Sequence, residues 1–292
     1  MADLAIALPR SAERPSRGGL WIVPPLLALA ALFFFPLGLI VRQALVGDSG
    51  AASLSHFAEV LGSGQFHDAL HHTIVIAVSS TAGCLALGFV LSVLITFTPF
   101  PGGKLVARLI DTFIALPTFL VALSFTFIYG SAGILNESLM RLLHVELPPV
   151  DFLYSQWGVI LSEITVYTPF VMRPLLAAFS LIEPAQIEVA SSLGARSLRI
   201  VGRVILPAAL PALVAGGSLC LLLTVNEFGI VLFIGAKDVI TLPLLIYDKA
   251  IQQFDYTAAC VIAAINVALS LCLYSLYRFV VMYFGGRRAG LV

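Results

Sequence analysis

The sequence predicts an all-α, polytopic membrane protein with about six transmembrane helices, and three observations predict it. Of its 292 residues, 60% are hydrophobic and 11% charged, whereas a soluble chain carries about twice that charge. Apolar runs long enough to cross a bilayer recur along the whole chain. Lysine and arginine gather in alternate connecting segments, the bias that orients a polytopic chain. The 16 basic and 16 acidic residues cancel, so net charge says nothing about partners.

Residues 1–19 are polar and basic, with Arg10, Arg14 and Arg17. Leu20–Val41 then runs 22 residues without a charge. That is too long for a signal-peptide core, and no small-residue cleavage site follows, so it reads as the first span. Pro24, Pro25 and Pro36 are expected to kink or shorten it. The polar stretch Val46–Ala69 holds His56 and His67, with His71 and His72 just beyond. His67 and His71 share a helix face, but the neighbourhood offers too few further ligands for a metal site, and the histidines read as interfacial. The second span is Leu70–Phe97, and the Pro- and Gly-rich Thr98–Val106 is a tight turn. The third span is Leu109–Tyr129, with Pro117 inside it and Asp111 placed to pair with Arg108. The long loop Gly130–Gln156, with Pro148-Pro149, is expected to fold against the membrane surface. The fourth span, Trp157–Phe179, carries Glu163, Pro169, Arg173 and Pro174. The fifth, Leu210–Ile234, contains Gly216-Gly217 and Asn226-Glu227, and the sixth is Tyr256–Phe279. The expected organisation is one membrane domain, 20–283, between cytoplasmic segments 1–19 and 284–292.

Orientation follows from the cations. With the N-terminus inside, twelve Lys and Arg fall on the inner side and four, Arg42, Arg141, Lys237 and Lys249, on the outer. Both termini and the polar stretch 183–207 then face the cytoplasm. Four cysteines, Cys84, Cys220, Cys260 and Cys272, lie within spans and form no CxxC, so they read as small buried apolar residues without a disulfide. There is no phosphate-binding glycine loop leading to Lys-Ser/Thr, no HExxH and no nucleophile elbow. The chain is therefore expected to bind no cofactor and to catalyse no reaction of its own, and no nucleic-acid partner is expected.

The polar stretch Glu183–Pro207, EPAQIEVASSLGARSLRIVGRVILP, organises the rest. Pro184 suits a first helical turn and Gly194 a helix end. The helix between them is too short to be stable alone. Ile187, Ala190 and Leu193 recur on one stripe, so it needs a partner to dock on. A second short helix is expected to carry Arg196, Arg199 and Arg203 on one face, and Pro207 to begin the fifth span. Glu188-Val189-Ala190, Gly194 six residues after the Glu, and Val204-Ile205-Leu206-Pro207 resemble the EAA loop of ATP-binding-cassette importer permeases. That family reads Glu-Ala-Ala, three residues, Gly, nine residues, Ile, one residue, Leu-Pro. Here Val189 and Val204 are the only departures, both small and apolar.

The stretches FFFPLGLIVRQAL, DTFIALPTFLVALSFTFIYGSAG, LPPVDFLYSQWGVILSEITV and LLLTVNEFGIVLFIGAK are similar to permeases of bacterial 2-aminoethylphosphonate importers. The resemblance implies a type I-like permease fold in the bacterial inner membrane. It implies a second permease, usually a related chain, two cytoplasmic ATPase subunits that bind ATP, and a periplasmic binding protein. It also implies a role for Glu188, Ala190, Gly194, Leu206 and Pro207 in docking an ATPase. Ferric ion, sulfate, polyamine and thiamine importers use similar permeases, and an ion-coupled secondary transporter would also carry intramembrane acids.

Glu163, Asn226 and Glu227 are the candidate translocation-path residues, because ionisable groups within spans are rare and mark pathways or interfaces. On the expected boundaries the two acids lie at nearly equal depth, about 9 and 10 Å from the outer ends of their spans. A shared cavity and a helix-packing hydrogen bond both fit that depth.

Overall fold

The computed structural model describes residues 22–47, 50, 52–98, 102–235 and 239–289, and every regular element among them is helical. The N-terminal segment 1–19, residues 99–101 of the tight turn, and the side chain of Asp111 with its pairing to Arg108 lie outside the described residues. Thirteen helices follow in order: α1 Val23–Val46, α2 Ser55–Leu61, α3 Gly64–Phe97, α4 Gly103–Phe113, α5 Thr118–Tyr129, α6 Ile134–Leu143, α7 Gln156–Phe179, α8 Pro184–Ser192, α9 Ser197–Ile200, α10 Leu206–Val225, α11 Gly229–Ile234, α12 Leu242–Tyr247 and α13 Tyr256–Ala289. Six helical stretches are long and apolar enough to span a membrane: α1, α3, α5 with α6, α7, the continuous run Ser197–Val225, and α13.

The core is the three-helix contact of α3, α7 and α10. Without a hydrophobic drive between helices in lipid, close approach depends on small residues. Gly216 supplies it: a Cβ there would stand 3.0 Å from Val171 Cα and 3.2 Å from the Pro174 ring. Gly88 of α3 meets the other flank of Val171, at 3.0 Å. A smaller outer cluster joins Ala44 of α1, Val60 of α2, Phe66 and Ala69 of α3, Leu242 of α12 and Ile262 of α13. There Thr73 donates to Ala69 O and accepts the Leu242 N–H, each at 2.8 Å, tying α3 to α12.

Helix ends follow local chemistry. Ser63 caps α3 by accepting the Phe66 N–H at 3.3 Å. The second span therefore starts earlier than expected, and His67, His71 and His72 all lie on it. His67 Nδ1 stands 3.0 Å from Ser63 O and His72 Nδ1 3.2 Å from Ile240 O. Within the loop after α5, buried Asn136 donates to Gly130 O and Val150 O and accepts the Val150 N–H, all at 2.8–3.0 Å. The loop is thus closed by one amide side chain around α6.

Four boundaries in the later spans differ from the sequence reading. The third span is not one helix: α4 ends at Phe113 and α5 begins at Thr118, because Pro117 has no N–H and holds its predecessor out of the helical region. The fifth span ends at Val225, so Glu227 sits in a break between α10 and α11 rather than inside a helix. At its other end Pro207 does not start the span. The helix runs through it from Ser197, with a widened π turn at Val201–Ile205 in which the Leu206 N–H reaches back five residues to Val201 O. The sixth span continues as helix to Ala289, through residues 284–289 of the expected tail.

Gly216→Val is expected to cost about 1–3 kcal/mol by overpacking the α7–α10 crossing. A lower temperature of loss of the folded protein in detergent measures it. Gly38→Val, where a Cβ meets nothing within 4 Å, is the neutral control.

Candidate functional site

Two sites emerge, one at each end of the continuous helix Ser197–Val225. The first is the polar stretch 183–207. Pro184 occupies the first turn of α8, as its fixed φ suits. The helix ends on Gly194 at φ +80°, a left-handed conformation open to glycine. The Gly194 N–H donates to Ser191 O at 2.9 Å and the Ala195 N–H to Ala190 O at 3.0 Å. This paired closure is a Schellman motif, and it reverses the chain toward α9. Ala190 thus contributes its carbonyl as well as its small side chain. No residue of α8 is buried, and Val189, Leu193 and Leu198 stand 59%, 83% and 87% exposed. Glu188 is exposed and forms no ion pair among the described residues. Leu206 and Pro207 directly follow the π turn, where the helix leaves the polar stretch. The short helix α8 and its exit thus leave apolar side chains uncovered.

The second site is a cavity of about 340 Å³ where the two broken spans meet. Leu116 and Thr118 reach it from the break before α5, Tyr167 and Phe170 from α7, and Asn226 and Glu227 from the end of α10. Glu227 is only 7% exposed. Its Oε1 accepts the Ile230 N–H at 2.8 Å, and the Tyr167 hydroxyl donates to its Oε2. No cation forms an ion pair with it among the described residues. Asn226 turns the other way: its Nδ2 donates to Leu222 O at 2.8 Å and Ser270 Oγ at 3.3 Å, and Asn266 Nδ2 donates to its Oδ1 at 3.0 Å. Adjacent residues at the break therefore tie α10 to α7 on one side and to α13 on the other.

Glu163 does not reach this cavity. It lies one helical turn from Tyr167 on α7, is 1% exposed, and neither carboxyl oxygen has a hydrogen-bond partner among the described residues. Ser80 of α3, buried and equally unpartnered, lies beside it. The structure brings Asn226 and Glu227 together and leaves Glu163 sealed in the α3–α7 contact. Thr118, Tyr167 and Gly229 were not among the residues expected to form the site. Pro117 flags the first, and the i, i+4 spacing from Glu163 flags the second. Tyr167 and Glu227 are 60 residues apart, so nothing local announces their bond.

Comparison with known proteins agrees with this architecture. The chain is 62% identical over 269 residues, 91% of its length and 94% of the relative's, to the "Putative 2-aminoethylphosphonate transport system permease protein PhnU" of Salmonella typhimurium. It is 29% identical over 90% of its length, and 94% of the relative's, to the sulfate transport system permease protein CysT of Escherichia coli. In fold it is similar to a chain of a bacterial ABC transporter involved in import of the acidic polysaccharide alginate. That likeness has a TM-score of 0.78 at 18% identity and covers 91% of this chain and 94% of that one. It is also similar to a chain of the inward-facing MetNI methionine ABC transporter, with a TM-score of 0.54 at 18% identity, covering 77% and 96% of the two chains. Residues 85–282 match the family of binding-protein-dependent transport system inner membrane components, and the chain belongs to that family.

Proposed function

We propose that this chain is the membrane-spanning subunit through which an ATP-driven, binding-protein-dependent importer passes 2-aminoethylphosphonate. The observation that carries the substrate is the end-to-end likeness to the Salmonella permeases, far closer than the likeness to the sulfate permease. The cavity supports it. A small zwitterion fits a volume of about 340 Å³, and the buried Glu227 carboxylate, which pairs with no cation among the described residues, offers its ammonium a charge-assisted hydrogen bond. Tyr167 and the Ile230 N–H fix the orientation of that carboxylate. Glu163, sealed and unpartnered, is assigned to helix packing.

The remaining parts of the machine follow from the chain's own surfaces. The exposed apolar face of α8 is the docking element for a cytoplasmic ATPase, with Glu188 at its rim and Gly194 shaping its exit. ATP binds the two ATPase subunits and not this chain, which has no phosphate loop and no catalytic role. A second permease completes the path, and a periplasmic binding protein delivers the solute at the outer end. The excess of lysine and arginine on one side supports a cytoplasmic location for both termini and α8.

Four outcomes test this reading in proteoliposomes holding the complete importer. Uptake of labelled 2-aminoethylphosphonate is expected to require ATP, the ATPase and the loaded binding protein; uptake by this chain alone under an ion gradient would refute it. Glu188→Lys and Gly194→Val are expected to insert normally yet reduce uptake to background, the latter because valine resists φ +80°. Wild-type uptake by well-expressed Glu188→Lys would show that α8 docks nothing. Glu227→Gln is expected to slow uptake about tenfold per assembled complex, the effect of losing one charge-assisted hydrogen bond. Glu163→Met is expected to leave uptake per complex unchanged and yield equal or higher, since it removes an unsatisfied buried group.

A further inference from the structure

Among the described residues no cation lines the cavity or pairs with Glu227, so the anionic end of a zwitterion needs another partner, and the break before α5 supplies one. Thr118 opens α5 on the cavity wall. Its hydroxyl has no hydrogen-bond partner among the described residues. Thr118 Oγ1 and Glu227 Oε1 flank one empty position: a Cβ on Gly229 would stand 3.1 Å from the first and 3.3 Å from the second. A free donor and a fixed carboxylate therefore border the same space, held apart by a residue with no side chain. The start of a twelve-residue helix at that wall adds the sign of partial charge that an oxyanion prefers.

We propose that Thr118 is a specificity-determining residue that donates its hydroxyl to the oxyanion end of the substrate, while Glu227 holds the ammonium end. Gly229 keeps the space between them open. The assignment rests on the substrate reading above and narrows it: the pocket selects short molecules carrying an ammonium and an oxyanion, not bare oxyanions.

The test is uptake of labelled 2-aminoethylphosphonate by the complete importer in proteoliposomes at saturating loaded binding protein, normalised to assembled complex. Saturation holds the binding protein's own selectivity constant. Thr118→Val, which keeps shape and loses the hydroxyl, is expected to lower the rate about tenfold, the loss expected for one hydrogen bond to a charged group. Thr118→Ser is expected to retain at least half of the wild-type rate. Gly229→Ala, which fills the space between the two groups, is expected to lower it as well. A wild-type rate in Thr118→Val overturns the assignment and leaves the substrate reading intact. Equal losses in the valine and serine variants also overturn it, because they assign Thr118 to packing. A wild-type importer that takes up no 2-aminoethylphosphonate overturns the substrate reading itself, and this assignment with it.

Discussion

A backbone amide inside a bilayer has no water to turn to, so a spanning helix can break only where protein or a cavity receives the freed groups. This chain breaks two spans, at Ile114–Pro117 and at Asn226–Phe228, and both breaks open on the same cavity. The break after α10 is satisfied from within, by the Glu227 carboxylate on the Ile230 N–H and by the Asn226 amide on Leu222 O. Phe119 and Phe233 then pack 5.4 Å apart and seat α11 against α5. The site exists because two interruptions, each costly alone, share one pocket.

Much of the fold was legible in the sequence. Six spans, the short helix α8, its proline start and its glycine exit all follow from apolar run length and from two residues with restricted or permissive φ. The breaks were harder to read. Pro117 breaks its span, whereas Pro169 and Pro174 lie inside α7 without ending it. The neighbours differ: α10 packs directly on Pro174 through Gly216, whereas Leu116 and Thr118, on either side of Pro117, line a cavity. Proline marks where a helix can fail, and tertiary packing decides whether it does. The pairing of Tyr167 with Glu227 was hidden for a similar reason, since only the crossing of α7 and α10 brings them together.

The two acids illustrate how a shared property can conceal different fates. Glu163 and Glu227 lie at similar expected depth in similarly apolar stretches. Glu227 finds two donors and a cavity wall, while Glu163 finds Ser80 and a packed seam. Depth in the membrane follows from residue counting; which side of a helix meets lipid, protein or cavity does not.

The π turn before Pro207 has a mechanical meaning. Because the chain does not end its helix there, Ser197–Val225 is one rod of 29 residues, about 43 Å long, from the exit of α8 to the lip of the cavity. A tilt of about 10° at its inner end would carry the Asn226–Glu227 lip sideways by about 7 Å, roughly the width of a small solute. The proline that would ordinarily cut a shaft in two is spliced into it, leaving a single crank between the two ends of the protein.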